Sequence, residues 1–285
     1  MISFIIPALN EGSAIAATVD QCLDVARKHG LEPAEVVVVD DGSNDGTGEM
    51  AARQGARVIR HPVPGGYGNA LKKGILAASY DTIVILDADG TYPVERVPEM
   101  LQRYSLGFDM VVGQRTGPHY RESAFKSPMR AVLRMLVEFT TGQSIPDVNS
   151  GLRIFSKETV LSYLPRLCNT FSFTTSLTLA YYMTGRFVDY LPIDYHSRLG
   201  QSKVRLLRDS LRTLQYIIEA VLYYNPMKIF ILMSGFCLLL SLFFIVGALF
   251  TKMLSFFILG LGNIFMAMLI FCIGLLAVQL KELMR

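Results

Sequence analysis

Cysteine is scarce in this chain of 285 residues: there are four, Cys22, Cys168, Cys237 and Cys272, and no two stand at paired or metal-type spacing. A disulfide framework and a thiolate metal site are thereby excluded. His61, His119 and His196 also lack metal spacing to one another, and each reads as an ordinary surface or core histidine. No Gly-Lys-Ser/Thr ending of a phosphate-binding loop occurs, and Gly66-Tyr67-Gly68 lacks the third glycine of the dinucleotide fingerprint and opens the wrong helix. An ATPase and a dehydrogenase are disfavoured on those grounds. The net charge is only +3, with no basic run interleaved with aromatics, so nucleic acid is not expected as a partner. The leading apolar piece, residues 2–9, is too short for a signal peptide and has no basic leader. The first part of the chain is therefore expected to stay in the cytoplasm.

What the chain has in excess is apolar residues, 51% of the total, with a mean hydropathy of +0.37. The excess is concentrated in residues 229–250 and 256–280, two uncharged stretches that each match the roughly 20 residues needed to cross a hydrocarbon core. A short connection through Thr251-Lys252-Met253-Leu254-Ser255 makes them a helical hairpin. Arg205, Arg208, Arg212 and Lys228 precede the first span and Lys281 and Arg285 follow the second, against Lys252 alone in the loop. Basic residues are retained on the cytoplasmic side, so an integral membrane protein with both termini cytoplasmic is expected. Gly235, Gly247, Gly260 and Gly262 give the hairpin small-residue surface for packing against copies of itself in a homo-oligomer.

Before the hairpin, short apolar strands alternate with helical patterns. The strands are expected at residues 3–7, 35–40, 57–60, 82–86 and 109–113, and the helices at 13–28, 45–53, 69–78 and 94–104. Such alternation predicts an α/β, doubly wound, mostly parallel sheet. Two amphipathic segments follow. One carries Phe125, Met129, Val132, Leu133, Leu136 and Val137 beside Lys126, Arg130 and Arg134; the other carries Leu207, Leu211, Leu214, Ile218, Val221 and Leu222 beside Arg205, Arg208 and Arg212. The second leads into a membrane span and is expected to lie at the bilayer interface; the first suits either core or interface. The expected organisation is a cytosolic domain over 1–200, including an interface segment near 123–141, a juxtamembrane helix over 201–227, and the hairpin with its tail over 228–285.

Candidate chemistry gathers where the strands end, the place at which open α/β sheets bind ligands. Pro7-Ala8-Leu9-Asn10-Glu11 and Val39-Asp40-Asp41-Gly42-Ser43 offer polar groups for a nucleobase or ribose. Pro64-Gly65-Gly66-Tyr67-Gly68-Asn69 is a glycine turn before a helix, able to bring backbone close to a ligand. Asp87 and Asp89 end an apolar strand one residue apart. They either converge on one hard divalent cation or stand as two solvated loop acids.

Together these stretches, with Asp87-Ala88-Asp89-Gly90-Thr91-Tyr92-Pro93, Val112-Gly113-Gln114-Arg115, Asp147-Val148-Asn149-Ser150-Gly151-Leu152-Arg153 and Arg198-Leu199-Gly200-Gln201-Ser202-Lys203, resemble the inverting GT-A (Rossmann-like) glycosyltransferases of family 2. Within it they resemble the polyprenyl-phosphate, dolichol-phosphate mannose or glucose synthase-like, enzymes. The resemblance implies that Pro7, Ala8, Glu11 and Asp40 touch the nucleoside of a UDP- or GDP-sugar, with Gly68 in the glycine turn. It further implies that Asp87 and Asp89 hold Mg²⁺ or Mn²⁺ on the donor diphosphate. Many dolichol-phosphate mannose synthase relatives have Leu-Gln where this chain has Gly90-Thr91.

Arg198 and Lys203 resemble the family's mobile phosphate clamp, and negative charge growing on the departing diphosphate needs such cations. A lipid phosphate is already an anionic nucleophile and needs positioning more than a base. Arg115, Arg130, Arg134 and Arg153 are candidates for that task, Arg115 foremost because it ends a strand near the expected donor; Arg130 and Arg134 equally suit a solvated helix face or unselective contact with lipid headgroups. Asp147 either orients a cation or the sugar, or caps a turn. The implied activity is transfer of one sugar from a nucleotide donor to a polyprenyl phosphate at the cytoplasmic face of a lipid bilayer. Two alternatives are a processive polysaccharide synthase, whose Gln-x-x-Arg-Trp motif this tryptophan-free chain lacks, and a non-catalytic membrane-anchored nucleotide-sugar sensor.

Overall fold

The structure, a computed structural model, describes residues 1–117, 135, 137–139, 141–197 and 206–283. Arg130, Arg134, Arg198, Lys203 and most of the segment expected near 123–141 lie outside the described residues. The chain divides into two compact units, Met1–Ile217 and Ile218–Arg285.

The first unit is built on a seven-stranded sheet in the order β3-β2-β1-β4-β6-β5-β7. Its strands are β1 (Ile2–Ala8), β2 (Ala34–Asp40), β3 (Arg57–Arg60), β4 (Thr82–Ile85), β5 (Met110–Thr116), β6 (Arg153–Ser156) and β7 (Val188–Asp194). All seven residues of β1 are buried, the expected state of a central strand covered on both faces. β1 pairs in parallel with β2 and β4, β2 with β3, and β5 with β7. β6 runs antiparallel between β4 and β5, so the sheet is mixed and mostly parallel.

Helices α1 (Ile15–Lys28), α2 (Thr47–Arg53), α3 (Tyr67–Ala77) and α4 (Val97–Tyr104) fill the crossovers. α1 turns Ile15, Val19, Cys22 and Val25 into the core, and burial raises the Cys22 thiol far above its usual range. That suits a plain small hydrophobe. After β6 come α5 (Lys157–Leu161), capped by the Ser156 hydroxyl, and α6 (Phe173–Met183).

The order places β4 beside β1 on the side away from β2 and β3, so the winding direction reverses between β1 and β4. Their pairing stops at Ile5 with Ile85, while the chain runs on to Glu11 on one side and to Asp89 on the other. A crevice outside the carboxyl ends of strands at such a switch point is where ligands bind.

Helix α7 (Leu206–Tyr224) spans the division between the units. Ile217 and Val221 on it are buried, while Ile218 and Leu222 are exposed. The second unit continues with α8 (Pro226–Thr251) and α9 (Leu254–Leu283), whose mean hydropathies reach 2.8 and 2.5 and which are long and apolar enough to cross a membrane. Lys252 closes α8 in the left-handed region at φ 56° and donates its N–H to Ala248 O at 2.8 Å. Ser234 Oγ donates to Ala267 O at 3.0 Å and Ser241 Oγ to Gly260 O at 2.8 Å, so these two buried hydroxyls are satisfied by the hairpin's own backbone.

Candidate active site

Two loops brace each other at the ends of β1 and β2. Asn10 N donates to Ser43 Oγ and Glu11 N to Thr47 Oγ1, both at 2.9 Å, while Asn44 N returns a bond to Asn10 Oδ1 at 3.0 Å. Pro7, Ala8 and Glu11 thus sit on a fixed edge, with Ala8 and Glu11 buried. Asp40 is fully buried beneath α2. Its Oδ1 accepts from Ser43 N at 2.8 Å, and its Oδ2, which has no hydrogen-bond partner, lies 3.6 Å from Arg60 Nε.

The neighbouring Asp41 faces the glycine turn instead. It accepts from His61 Nδ1 at 2.6 Å and from the N–H groups of Gly65 and Gly66 at 2.8 Å each. An open cleft lined by Gly42, Ser43, Arg60, His61 and Pro62 lies beside it.

The glycine turn itself packs on the protein's own backbone. A Cβ on Gly68 would lie 2.2 Å from Cys168 O, and Asn69 N donates to Asn169 O at 3.0 Å. The close approach that Gly68 permits is to residues 168–170. What the turn presents toward the crevice is Tyr67, whose phenol donates to Asp87 Oδ1 at 2.8 Å.

Asp87 and Asp89 follow β4 at the switch point. Asp89 is buried, and its Oδ1 accepts from Thr91 Oγ1 at 2.6 Å and from Thr91 N at 3.2 Å. Thr18 Oγ1 donates to Ala88 O at 3.1 Å and anchors the loop to α1. Behind Asp87 is Gly151, where a Cβ would lie 2.9 Å from both carboxylate oxygens. Gly151 N donates to Tyr92 Oη at 2.6 Å, and Tyr92 meets Tyr195 edge-on at 5.3 Å. His196 N donates to Thr91 O at 3.0 Å, which ties the chain leaving β7 to the acidic loop. Burial, together with the charges of Asp87 and Asp89, raises the Tyr195 phenol above its ordinary value.

Arg115 at the end of β5 grips Asp147 with both edges of its guanidinium: Nε to Oδ2 and Nη2 to Oδ1, each 2.8 Å. Its Cζ also lies 5.6 Å from the centre of the Tyr195 ring. Burial alone would raise the Asp147 carboxyl, but the charge and hydrogen bonds of Arg115 outweigh it and hold the group below the usual range.

Arg153 sits elsewhere. It is fully buried, with Nε on Ser150 O at 2.8 Å, Nη2 on Val148 O at 2.7 Å and Nη1 on Thr178 Oγ1 at 2.7 Å. It staples the loop between Asp147 and Gly151 from beneath.

The structure therefore brings Asp87, Asp89, Arg115, Asp147, Tyr67, Tyr92 and Tyr195 into one linked group, and it seats Glu11 and Asp40 in the adjoining braced loops. From the sequence no role attaches to the three tyrosines or to Thr91, and Asp41 is one of the acids offered to a nucleobase or ribose, whereas here it is engaged by His61 and the glycine turn. Tyr67 and Tyr92 lie within the motifs and Tyr195 three residues before Arg198, and that proximity is the available signal.

Residues 3–163 match the profile of glycosyl transferase family 2. The chain belongs to that family. Among curated relatives of this family 2 glycosyltransferase is a dolichyl-phosphate hexose transferase from Haloferax volcanii, 35% identical over 173 residues, 60% of this chain and 74% of the relative. Another is an undecaprenyl-phosphate 4-deoxy-4-formamido-L-arabinose transferase from Pectobacterium atrosepticum, 27% identical over 262 residues, 85% of this chain and 75% of the relative. Among solved structures, glucosyl-3-phosphoglycerate synthase from Mycobacterium tuberculosis, with Mn²⁺, UDP and glucosyl-3-phosphoglycerate, superposes with a TM-score of 0.63 at 24% identity. That match covers 77% of this chain and 79% of the synthase, and it establishes a shared GT-A fold.

Proposed function

We propose that this glycosyltransferase moves a single sugar, with inversion, from a nucleotide-diphosphate sugar to a polyprenyl phosphate at the cytoplasmic face of a membrane. The observation that carries the reading is the seating of Asp87 and Asp89 beyond β4, at the switch point beside β1, in a chain whose later helices are long and apolar enough to cross a membrane. The names of the Haloferax and Pectobacterium relatives, both polyprenyl-phosphate sugar transferases, support the same acceptor class.

The donor set fits a hard divalent cation. No group of three His, Cys, Asp or Glu side chains capable of holding a metal occurs among the described residues; Asp87 and Asp89, one residue apart in the loop after β4, would be its protein ligands, with the substrate's phosphates supplying further oxygens. Mg²⁺ is commonly held by one or two carboxylates together with substrate phosphates. Bound there, Mg²⁺ or Mn²⁺ would neutralise charge developing on the departing diphosphate.

The chain's own residues do the rest. Pro7, Ala8, Glu11 and Asp40 line the nucleoside side, and Arg198 and Lys203, outside the described residues, are the cations the resemblance assigns to the diphosphate. Arg115, held in one orientation by Asp147, faces the acceptor phosphate. The acceptor arrives as an anion, so its nucleophilic oxygen needs orientation rather than deprotonation. The hairpin of α8 and α9 crosses the bilayer with both termini cytoplasmic, because Lys and Arg flank its open end, and α7 lies along the interface.

Incubating the purified full chain with Mn²⁺, undecaprenyl phosphate and a panel of radiolabelled UDP- and GDP-sugars tests this. Label from at least one donor is expected in an organic-extractable product. Label confined to water-soluble polymer would instead favour a processive synthase, and no transfer from any donor would overturn the assignment.

A further inference from the structure

We infer that Tyr67 is a positioning residue for the divalent cation, acting through Asp87. The inference rests on the reading of Asp87 and Asp89 as the cation's protein ligands.

Glycine turns before helices usually serve by exposing backbone N–H groups to a phosphate. Here much of the turn is engaged elsewhere: Asp41 takes the N–H groups of Gly65 and Gly66, and Asn169 O takes that of Asn69. Lys72 on the same helix locks it further, donating to Leu167 O at 2.5 Å and Asn169 Oδ1 at 2.6 Å. A turn fixed this firmly delivers its side chain with little freedom. The Tyr67 ring stacks on Phe171, with centroids 5.7 Å apart and planes at 18°, and its hydroxyl reaches Asp87 Oδ1 at 2.8 Å.

Asp87 is constrained from behind as well. Glycine at 151 leaves the carboxylate its present seat, since a Cβ there would come within 2.9 Å of both oxygens and the carboxylate would have to shift. With a phenol on one oxygen and a bare backbone at its rear, the carboxylate is oriented before any ion arrives. A ligand oriented in advance loses less side-chain entropy on coordination. Partners that hold a metal ligand in place typically account for about 10- to 100-fold in metal affinity.

The test is a Mn²⁺ titration of the full chain in detergent, followed by electron paramagnetic resonance, with UDP and with GDP present in separate series. Wild type, Tyr67→Phe, Phe171→Ala and Asp87→Asn are compared, with a melting curve on each sample. Phenylalanine keeps the ring and its stack, so Tyr67→Phe is expected to melt like wild type and to bind Mn²⁺ about 10-fold or more weakly. Asp87→Asn is expected to lose the ion.

Equal affinity in wild type and Tyr67→Phe, with binding lost in Asp87→Asn, would overturn the positioning role and leave the metal assignment standing. A weakening matched by Phe171→Ala, which removes the stack but keeps the phenol, and accompanied by a lowered melting temperature would also overturn it, because packing would then account for the effect. Binding unchanged in Asp87→Asn, or absent in wild type, would overturn the metal assignment and the inference with it.

Discussion

Arg115 and Asp147 form a two-bonded pair in which the guanidinium Nε and Nη2 each stand 2.8 Å from a separate carboxylate oxygen. The Arg115 N–H adds a third bond to Oδ2 at 3.1 Å. Asp147 keeps only 2% of its side-chain surface exposed and Arg115 17%, so the pair lies largely out of water. Breaking a buried pair by removing one partner is costly because the other is left charged and unpaired. Arg115→Ala is therefore expected to lower stability by about 3–5 kcal/mol at neutral pH, read by thermal unfolding in detergent.

The pH dependence follows from the direction of the shift. Asp147 titrates below its unfolded value when folded, so the pair's contribution is fully present above the unfolded carboxylate value of about 3.9 and is lost as pH falls through the lower folded one. The melting difference between wild type and Asp147→Asn is thus expected to be flat from about pH 5 to 8 and to shrink in stronger acid. In Arg115→Ala the sign reverses. Without its cation, Asp147 is dominated by burial, its carboxyl rises, and the deficit of that variant should narrow as pH falls from 7 toward 4. A deficit that widens on acidification would mean that Asp147 is not the group left unpaired.

Asp89 gives the sharpest test of chemistry apart from folding. Asparagine keeps the oxygen that Thr91 bonds but removes the charge, so Asp89→Asn should melt close to wild type. Transfer should fall about 100- to 1,000-fold, the scale of losing one preorganised electrostatic contact. Chelation with EDTA should abolish wild-type transfer, and added Mn²⁺ should restore it.

Much of this site was legible in the sequence because its parts follow apolar strands. The runs leading to Pro7, Asp40 and Asp87 are buried on both faces and read as strands without help from context. β6 and β7 were not legible. β6 is four residues long and begins with an arginine, and β7 contains Pro192, which argues against a strand unless it lies at an edge, as β7 does. The antiparallel insertion of β6 between β4 and β5 depends on long-range pairing, which no local pattern reports. Side-chain direction was equally hidden. Asp40 and Asp41 are adjacent acids with the same propensities, yet one turns under α2 and the other takes the N–H groups of the glycine turn.

Arg153 illustrates the same limit and yields a prediction of its own. From the sequence it counted with Arg115 among the acceptor's cationic contacts; in the structure its guanidinium points into the core and satisfies two backbone carbonyls and the Thr178 hydroxyl. Arg153→Met, similar in bulk, should still cost at least about 3 kcal/mol, since several buried acceptors lose their donor together. Raising the polyprenyl phosphate concentration should not recover its lost activity. Recovery at saturating acceptor would return Arg153 to the list of acceptor contacts.

Gly68 and Gly262 separate a glycine demanded by packing from one that is not. A Cβ at Gly68 would stand 2.2 Å from Cys168 O and 2.8 Å from the Asn169 carbonyl carbon, whereas one at Gly262 in α9 would meet nothing within 4 Å. Backbone cannot swing aside as a flexible side chain can, so Gly68→Ala must push α3 away from residues 168–170. Overpacking of that kind typically costs about 1–3 kcal/mol. Because α3 begins at Tyr67, the same displacement should pull the phenol from Asp87 and weaken Mn²⁺ binding along with stability. Gly262→Ala lies within a helix with open space around it, and alanine's propensity there makes it neutral or stabilising by up to about 1 kcal/mol. Melting curves and Mn²⁺ titrations of the two variants side by side check both halves. A Gly68→Ala protein that lost stability but kept wild-type Mn²⁺ affinity would show that the turn and the acidic loop are mechanically independent.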